Sequence, residues 1–85
     1  MAWTVYILEC SDQTLYTGIT NDMPGRLVKH IKGTGAKYTR GRGPYKVIYA
    51  ELHNTKGRAL KREAEIKSFG RDKKLKLAAA YHSDK

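Results

Sequence analysis

The chain has 85 residues and one cysteine, so it cannot form an internal disulfide. A small domain without disulfides fits a reducing compartment, and a cytoplasmic location is expected. No nucleophile motif surrounds Cys10, which is expected to pack as a small residue at a strand end. No apolar run approaches the length of a membrane span, and none after Met1 reads as a secretory core. The single cysteine and three scattered histidines (His30, His53 and His82) offer no zinc-site spacing and suggest no Ser-His-Asp arrangement. Gly33–Thr34–Gly35 has neither the spacing nor the Lys-Ser/Thr ending of a P-loop. There is no internal repeat beyond two tyrosine-bearing strands, no low-complexity segment and no linker. At this length there is little room for a second core, so residues 1–85 read as one domain.

Acidic residues are also scarce. Asp and Glu number 8 against 17 Lys and Arg, a formal charge of +9. A balance of this sign and size favours a polyanionic partner. The positive groups are spread along the chain, with concentrations at Lys37–Arg42 and Arg71–Lys76. No separate basic helix carries bulky apolar anchors, which favours nucleic acid over a membrane surface.

Two β-branched runs organise the rest. Trp3 to Glu9 and Thr14 to Thr20 each carry one central tyrosine and read as the strands of an antiparallel hairpin. With an odd-length loop, paired residues share parity. Tyr6, Leu8, Tyr16 and Gly18 then lie on one face, and Val5, Ile7, Leu15 and Ile19 on the other. Asn21–Asp22 and Pro24 open a first helix, expected to reach about Lys32 and stop at Gly33. Its expected buried stripe is Met23, Leu27 and Ile31, with Arg26 and His30 four apart on one edge.

The segment Gly33 to Pro44 is rich in breakers and carries Lys37, Tyr38, Arg40 and Arg42. Basic groups interleaved with an aromatic suit contact with phosphates and a base. A connector with solvated charges explains the same composition equally well. Tyr45 to Leu52 reads as a third strand, with Val47 and Tyr49 on one face and Ile48 and Ala50 on the other. Asn54 or Thr55 caps a second helix, Lys56 to Ser68, and a third basic helix spans about Arg71 to Tyr81.

Within the second helix, Glu63 is out of place. With Ala59 at zero on a helical wheel, Ile66 falls at about −20°, Glu63 at about 40° and Leu60 at about 100°. The carboxylate therefore lies inside the apolar arc, whereas Glu65 falls on the opposite face with Arg58, Lys61 and Arg62. A carboxylate directed toward a core needs a cationic partner or a metal. Lys67, four residues on, is one candidate partner. The other reading brings Glu63 to the same core face as Tyr6, Tyr16, Arg26 and His30. That inventory suits phosphodiester chemistry. A carboxylate can hold a hydrated Mg²⁺, an arginine can neutralise developing charge, and a histidine or phenol can move a proton.

These residues also resemble a known family. Thr4–Val5–Tyr6 and Tyr16–Thr17–Gly18 are similar to the two signature tripeptides of the GIY-YIG nuclease superfamily. The similarity continues in order through Thr20–Asn21–Asp22, Arg26, His30, Gly33, Ala36–Lys37–Tyr38–Thr39 and Arg42–Gly43–Pro44 to Ala59–Leu60–Lys61–Arg62–Glu63 and Ile66–Lys67. It spans nearly the whole chain. The resemblance is to the small standalone bacterial subgroup related to the N-terminal nuclease domain of the excision-repair endonuclease.

The resemblance implies an α+β fold, a three-stranded antiparallel sheet flanked by two to three helices. It implies one divalent ion, Mg²⁺ or Mn²⁺, held by Glu63. It places Arg26 at the scissile phosphate, has one of the tyrosines Tyr6 and Tyr16 activate or position the water, and sets His30 where other members carry a histidine or a tyrosine. Two departures stand out: Thr4 replaces the first signature glycine, and Ile19 stands where some relatives carry a lysine. The expected activity is metal-dependent hydrolysis of DNA phosphodiester bonds, in repair or processing, with Lys37, Tyr38, Arg40, Arg42 and Lys67 contacting the nucleic acid. The alternative is a non-catalytic DNA- or RNA-binding module that keeps the fold. A basic accessory protein for a ribosome or an acidic partner is a third reading.

Overall fold

A computed structural model of the chain describes residues 2–32 and 43–83. In chain order the elements are β1 (Trp3–Glu9), β2 (Leu15–Thr20), α1 (Met23–Ile31), β3 (Lys46–His53), α2 (Lys56–Lys67) and α3 (Arg71–Ser83). The strands form one antiparallel sheet in the order β2-β1-β3, which makes the fold α+β. No helix among the described residues is long and apolar enough to cross a membrane.

The hairpin loop sets the faces of the sheet. Glu9 pairs with Leu15, so Cys10 to Thr14 intervene, an odd number. The turn closes through Cys10 N–H to Thr14 O and Gln13 N–H to Cys10 O, both 2.9 Å. Gln13 takes the left-handed conformation, φ 69°. Asp12 steadies it by accepting from the Thr14 amide at 3.1 Å and the Thr14 hydroxyl at 2.6 Å. Tyr6 then pairs with Gly18 and Leu8 with Tyr16. The tyrosines lie diagonally across one face, as parity predicts, and Val5 and Ile7 lie on the other.

The Val5/Ile7 face carries the main core. Ala59 and Ile66 of α2, Ala78 of α3 and Ile48 of β3 pack there, with Trp3, Leu15, Ile19, Tyr49, Phe69 and Leu77 around them. Val5, Ile7 and Ile66 are fully buried, and each such side chain contributes about 1.5–3 kcal/mol. Cys10 is buried at the end of β1. The α2 helix is capped by Thr55, whose hydroxyl accepts from Arg58 N–H at 3.2 Å. Glu51 ties α2 to β3. Its carboxylate accepts from the Tyr49 hydroxyl and from Arg62 Nε, and it meets His53 Nε2.

Two expectations fail for identifiable reasons. The first is the alternation assigned to β3. Ile7 pairs with Tyr49 and Leu8 with Val47, so Ile48 is the extra residue of a β-bulge. Tyr49 therefore joins Ile48 at the main core, and Val47 faces the other way, beside Leu8. The second is the stripe assigned to α1. Ile31 is 66% exposed, whereas His30 is fully buried and is the buried residue of the helix. The helix ends at Ile31 and turns its 26/30 edge inward. Asp22 caps it by accepting from Gly25 N–H at 3.2 Å.

Candidate active site

On the sheet face opposite the main core, four predicted residues converge. Tyr6 comes from the central strand, Tyr16 from its edge neighbour, and Arg26 and His30 from successive turns of α1. The Tyr6 phenolic oxygen lies 3.0 Å from His30 Nε2, and Arg26 Nε donates to that oxygen at 3.3 Å. The Tyr6 and Tyr16 ring centroids are 6.1 Å apart, and Tyr16 and His30 are 5.5 Å apart and nearly edge-on. Gly18 makes this arrangement possible. A Cβ there would sit 2.8 Å from both the Tyr6 oxygen and a Tyr16 ring carbon.

The electrostatics of the cluster are set by burial and by Arg26. An arginine has no acceptor, so Arg26 donates to the Tyr6 oxygen. Burial, reinforced by the charge of Arg26, holds the His30 pKa below its ordinary value. Burial pushes the Tyr6 phenol up, against the pull of its bond from Arg26. Hydrogen bonding to Tyr6, and then to Tyr16, raises the Arg26 pKa further against the effect of burial. Tyr6 is fully buried, while Tyr16 is partly open beside a groove.

Glu63 arrives from α2, which packs on the sheet through Ala59 and Ile66. It sits between the buried Ala59 and Ile66 of α2, as the wheel predicts, with a side chain 17% exposed. Ala59 and Ile66 on either side of it pack on the Val5/Ile7 face. The Glu63 charge helps raise the Tyr6 pKa. Lys67 Nζ lies 3.5 Å from Glu63 Oε2, so the cationic partner considered above is present. That lysine is 54% exposed, and such a pair contributes little to stability.

Among the described residues, no group of three or more His, Cys, Asp or Glu side chains could cage a metal. A carboxylate whose lysine partner is half exposed nevertheless fits a hard divalent ion that keeps its waters and takes phosphate oxygens from a substrate. His30, engaged with Tyr6, is not part of that donor set.

Tyr45 is a neighbour that sequence reasoning missed. Its ring centroid lies 5.9 Å from that of His30. Its position just after Gly43–Pro44, before the third strand, was the available signal. Lys37, Tyr38, Arg40 and Arg42 lie outside the described residues.

Comparison with known proteins gives a consistent result. Residues 2–76 match the family model described as the GIY-YIG catalytic domain. UPF0213 proteins of Staphylococcus saprophyticus and Staphylococcus aureus are each 53% identical over 73 residues, covering 86% of this chain and 89% of theirs. Among solved structures, the solution NMR structure of a UPF0213 protein from Bacillus halodurans is similar with a TM-score of 0.61. It is 45% identical, and the match covers 94% of this chain and 85% of that one. A protein from E. faecalis, also solved by NMR, matches with a TM-score of 0.67 and 36% identity over 96% of this chain and 88% of that one.

Proposed function

The chain belongs to the GIY-YIG family, and from that premise we propose that it is an endonuclease that hydrolyses DNA phosphodiester bonds with one divalent ion. The observation that carries the reading is the meeting of Arg26, Tyr6, Tyr16 and His30 on one face, with the Glu63 charge reaching Tyr6.

In this reading Arg26 neutralises charge on the scissile phosphate, a role for which its two phenol partners hold the guanidinium in place. Tyr16, the more open phenol, orients the attacking water. Tyr6 lies behind it and holds the Arg26 guanidinium and the His30 ring in place. Glu63 would hold Mg²⁺ or Mn²⁺, which when bound supplies Lewis-acid stabilisation of phosphate charge. Lys67 would turn from Glu63 to the nucleic acid.

The test is cleavage of single-stranded, duplex and branched DNA by purified protein with Mg²⁺ or Mn²⁺. Glu63→Gln is expected to abolish cleavage while DNA binding persists. Undiminished cutting by that variant, or cutting by the wild type in EDTA, overturns the reading. Binding without cutting on every substrate establishes the non-catalytic module instead.

A further inference from the structure

Lys67 and Lys74 are brought together on one side of the candidate site. They line a groove of about 330 Å³ with Leu15, Tyr16 and Thr17. A smaller hollow of about 200 Å³ continues past Lys74 to Thr14 and Arg71. Arg71 anchors that end by donating to the Gln13 carbonyl at 2.6 Å. The path therefore runs from a site tyrosine along the β2 edge to the start of α3.

Two observations bear on what the groove could hold. First, its cations are crowded. Burial and the nearby Lys67 charge both push the Lys74 ammonium down, and no carboxylate pairs with Lys74 among the described residues. Like charges held together in a partly desolvated place favour an anion between them. Second, the Thr17 hydroxyl is buried, and it has no hydrogen-bond partner among the described residues although Thr17 lines the groove. A buried hydroxyl without a partner costs about 1–3 kcal/mol, which a ligand oxygen would remove. Cationic walls, a donor in the floor and a tyrosine at one end suit an extended phosphodiester chain.

We infer that this groove holds the nucleic-acid strand next to the scissile bond, with a backbone phosphate between Lys67 and Lys74 and within reach of Thr17. The inference rests on the nuclease reading for its substrate class, and adds Lys74, Thr17 and Arg71 to the binding surface. The strand leaves the site along β2 toward Arg71. Lys74 acts by neutralising a phosphate and carries no part of the bond-breaking step.

The experiment measures binding of a short fluorescein-labelled oligothymidylate by anisotropy, in EDTA, across a salt series. Lys74→Gln is compared with Lys76→Gln, an exposed α3 residue outside the groove. If one phosphate contact is lost, Lys74→Gln weakens binding several-fold and reduces the slope of log K against log salt by about 0.7. Lys76→Gln leaves the slope unchanged. Thr17→Val keeps the fold, checked by thermal unfolding, and also weakens binding. Equal effects of the two lysine variants, with no change of slope in either, overturn the groove. Lys74-dependent binding by a protein that cuts no substrate keeps the groove and removes the nuclease reading. Cutting with an unchanged KM in Lys74→Gln does the reverse.

Discussion

His30 Nε2 and the Tyr6 phenolic oxygen lie 3.0 Å apart, and both groups are fully buried. This bond joins α1 to the central strand at the point where Arg26 also attaches. Tyr6→Phe removes the shared oxygen and leaves a ring nitrogen and an arginine N–H without it. The expected cost is about 1–3 kcal/mol of stability. Cleavage is expected to fall on the order of 10²-fold, because the oxygen that positions Arg26 and His30 is lost. Denaturant unfolding and a cleavage assay on the same sample check both.

The burial of His30 predicts a pH dependence. Its pKa in the folded chain lies below the ordinary value, so protonation favours the unfolded state. The stabilising contribution is fully present above about pH 6.5 and declines as pH falls from there through the lowered folded value. Tyr6, Tyr16, Tyr45 and Arg26 surround the ring, and none of these supplies a carboxylate that would reverse the sign. Thermal unfolding from about pH 7.5 to about pH 5 is expected to show a falling Tm, with a flatter profile in His30→Gln. A wild-type Tm independent of pH over that span would contradict the assignment.

Much of this could be read from the sequence because it rests on period and parity. Strand β1 is found at the expected residues, the odd loop puts Tyr6 and Tyr16 on one face, and the wheel places Glu63 between Ala59 and Ile66. The failures are tertiary. A wheel drawn for one helix cannot say which face of the sheet that helix covers, so by itself it does not decide between Lys67 and the tyrosines as what Glu63 faces. Helix α1 scored as amphipathic through Ile31, but its inward position is held by a polar bond from His30 to Tyr6 that hydrophobic periodicity does not detect.

Gly18 gives a packing prediction. Any Cβ at this position meets the Tyr6 oxygen and the Tyr16 ring at 2.8 Å, and Tyr6 is too enclosed to retreat. Gly18→Ala is expected to cost about 1–3 kcal/mol through overpacking and to shift both phenols. Chemical shifts of the tyrosine rings should move in this variant and stay in place in Gly57→Ala, where the added Cβ meets nothing within 4 Å.

On the far side of the sheet, Glu51 links α2 to β3. Burial raises its pKa, but hydrogen bonds from Tyr49, His53 and Arg62 outweigh that and leave it below the ordinary carboxylate range. Its contribution is present above about pH 4.3 and is lost as pH falls through the lowered folded value. Glu51→Gln is expected to destabilise the fold by about 1–3 kcal/mol at neutral pH. The gap to wild type should narrow in that acid window, as followed by urea unfolding at several pH values.

The bulge at Ile48 has a consequence for how this chain can change in length. On its C-terminal side Tyr49 and Glu51 reach the helices; on its N-terminal side Val47 lies by Leu8, and Tyr45 reaches His30. Tyr45 and Tyr49 are both odd-numbered, and in an unbroken strand they would point the same way. The extra residue lets one strand serve both sides of the sheet. Deleting it would rotate Tyr45 away from the site without changing any site residue. At this point of the chain, the number of residues is as much a functional trait as their identity.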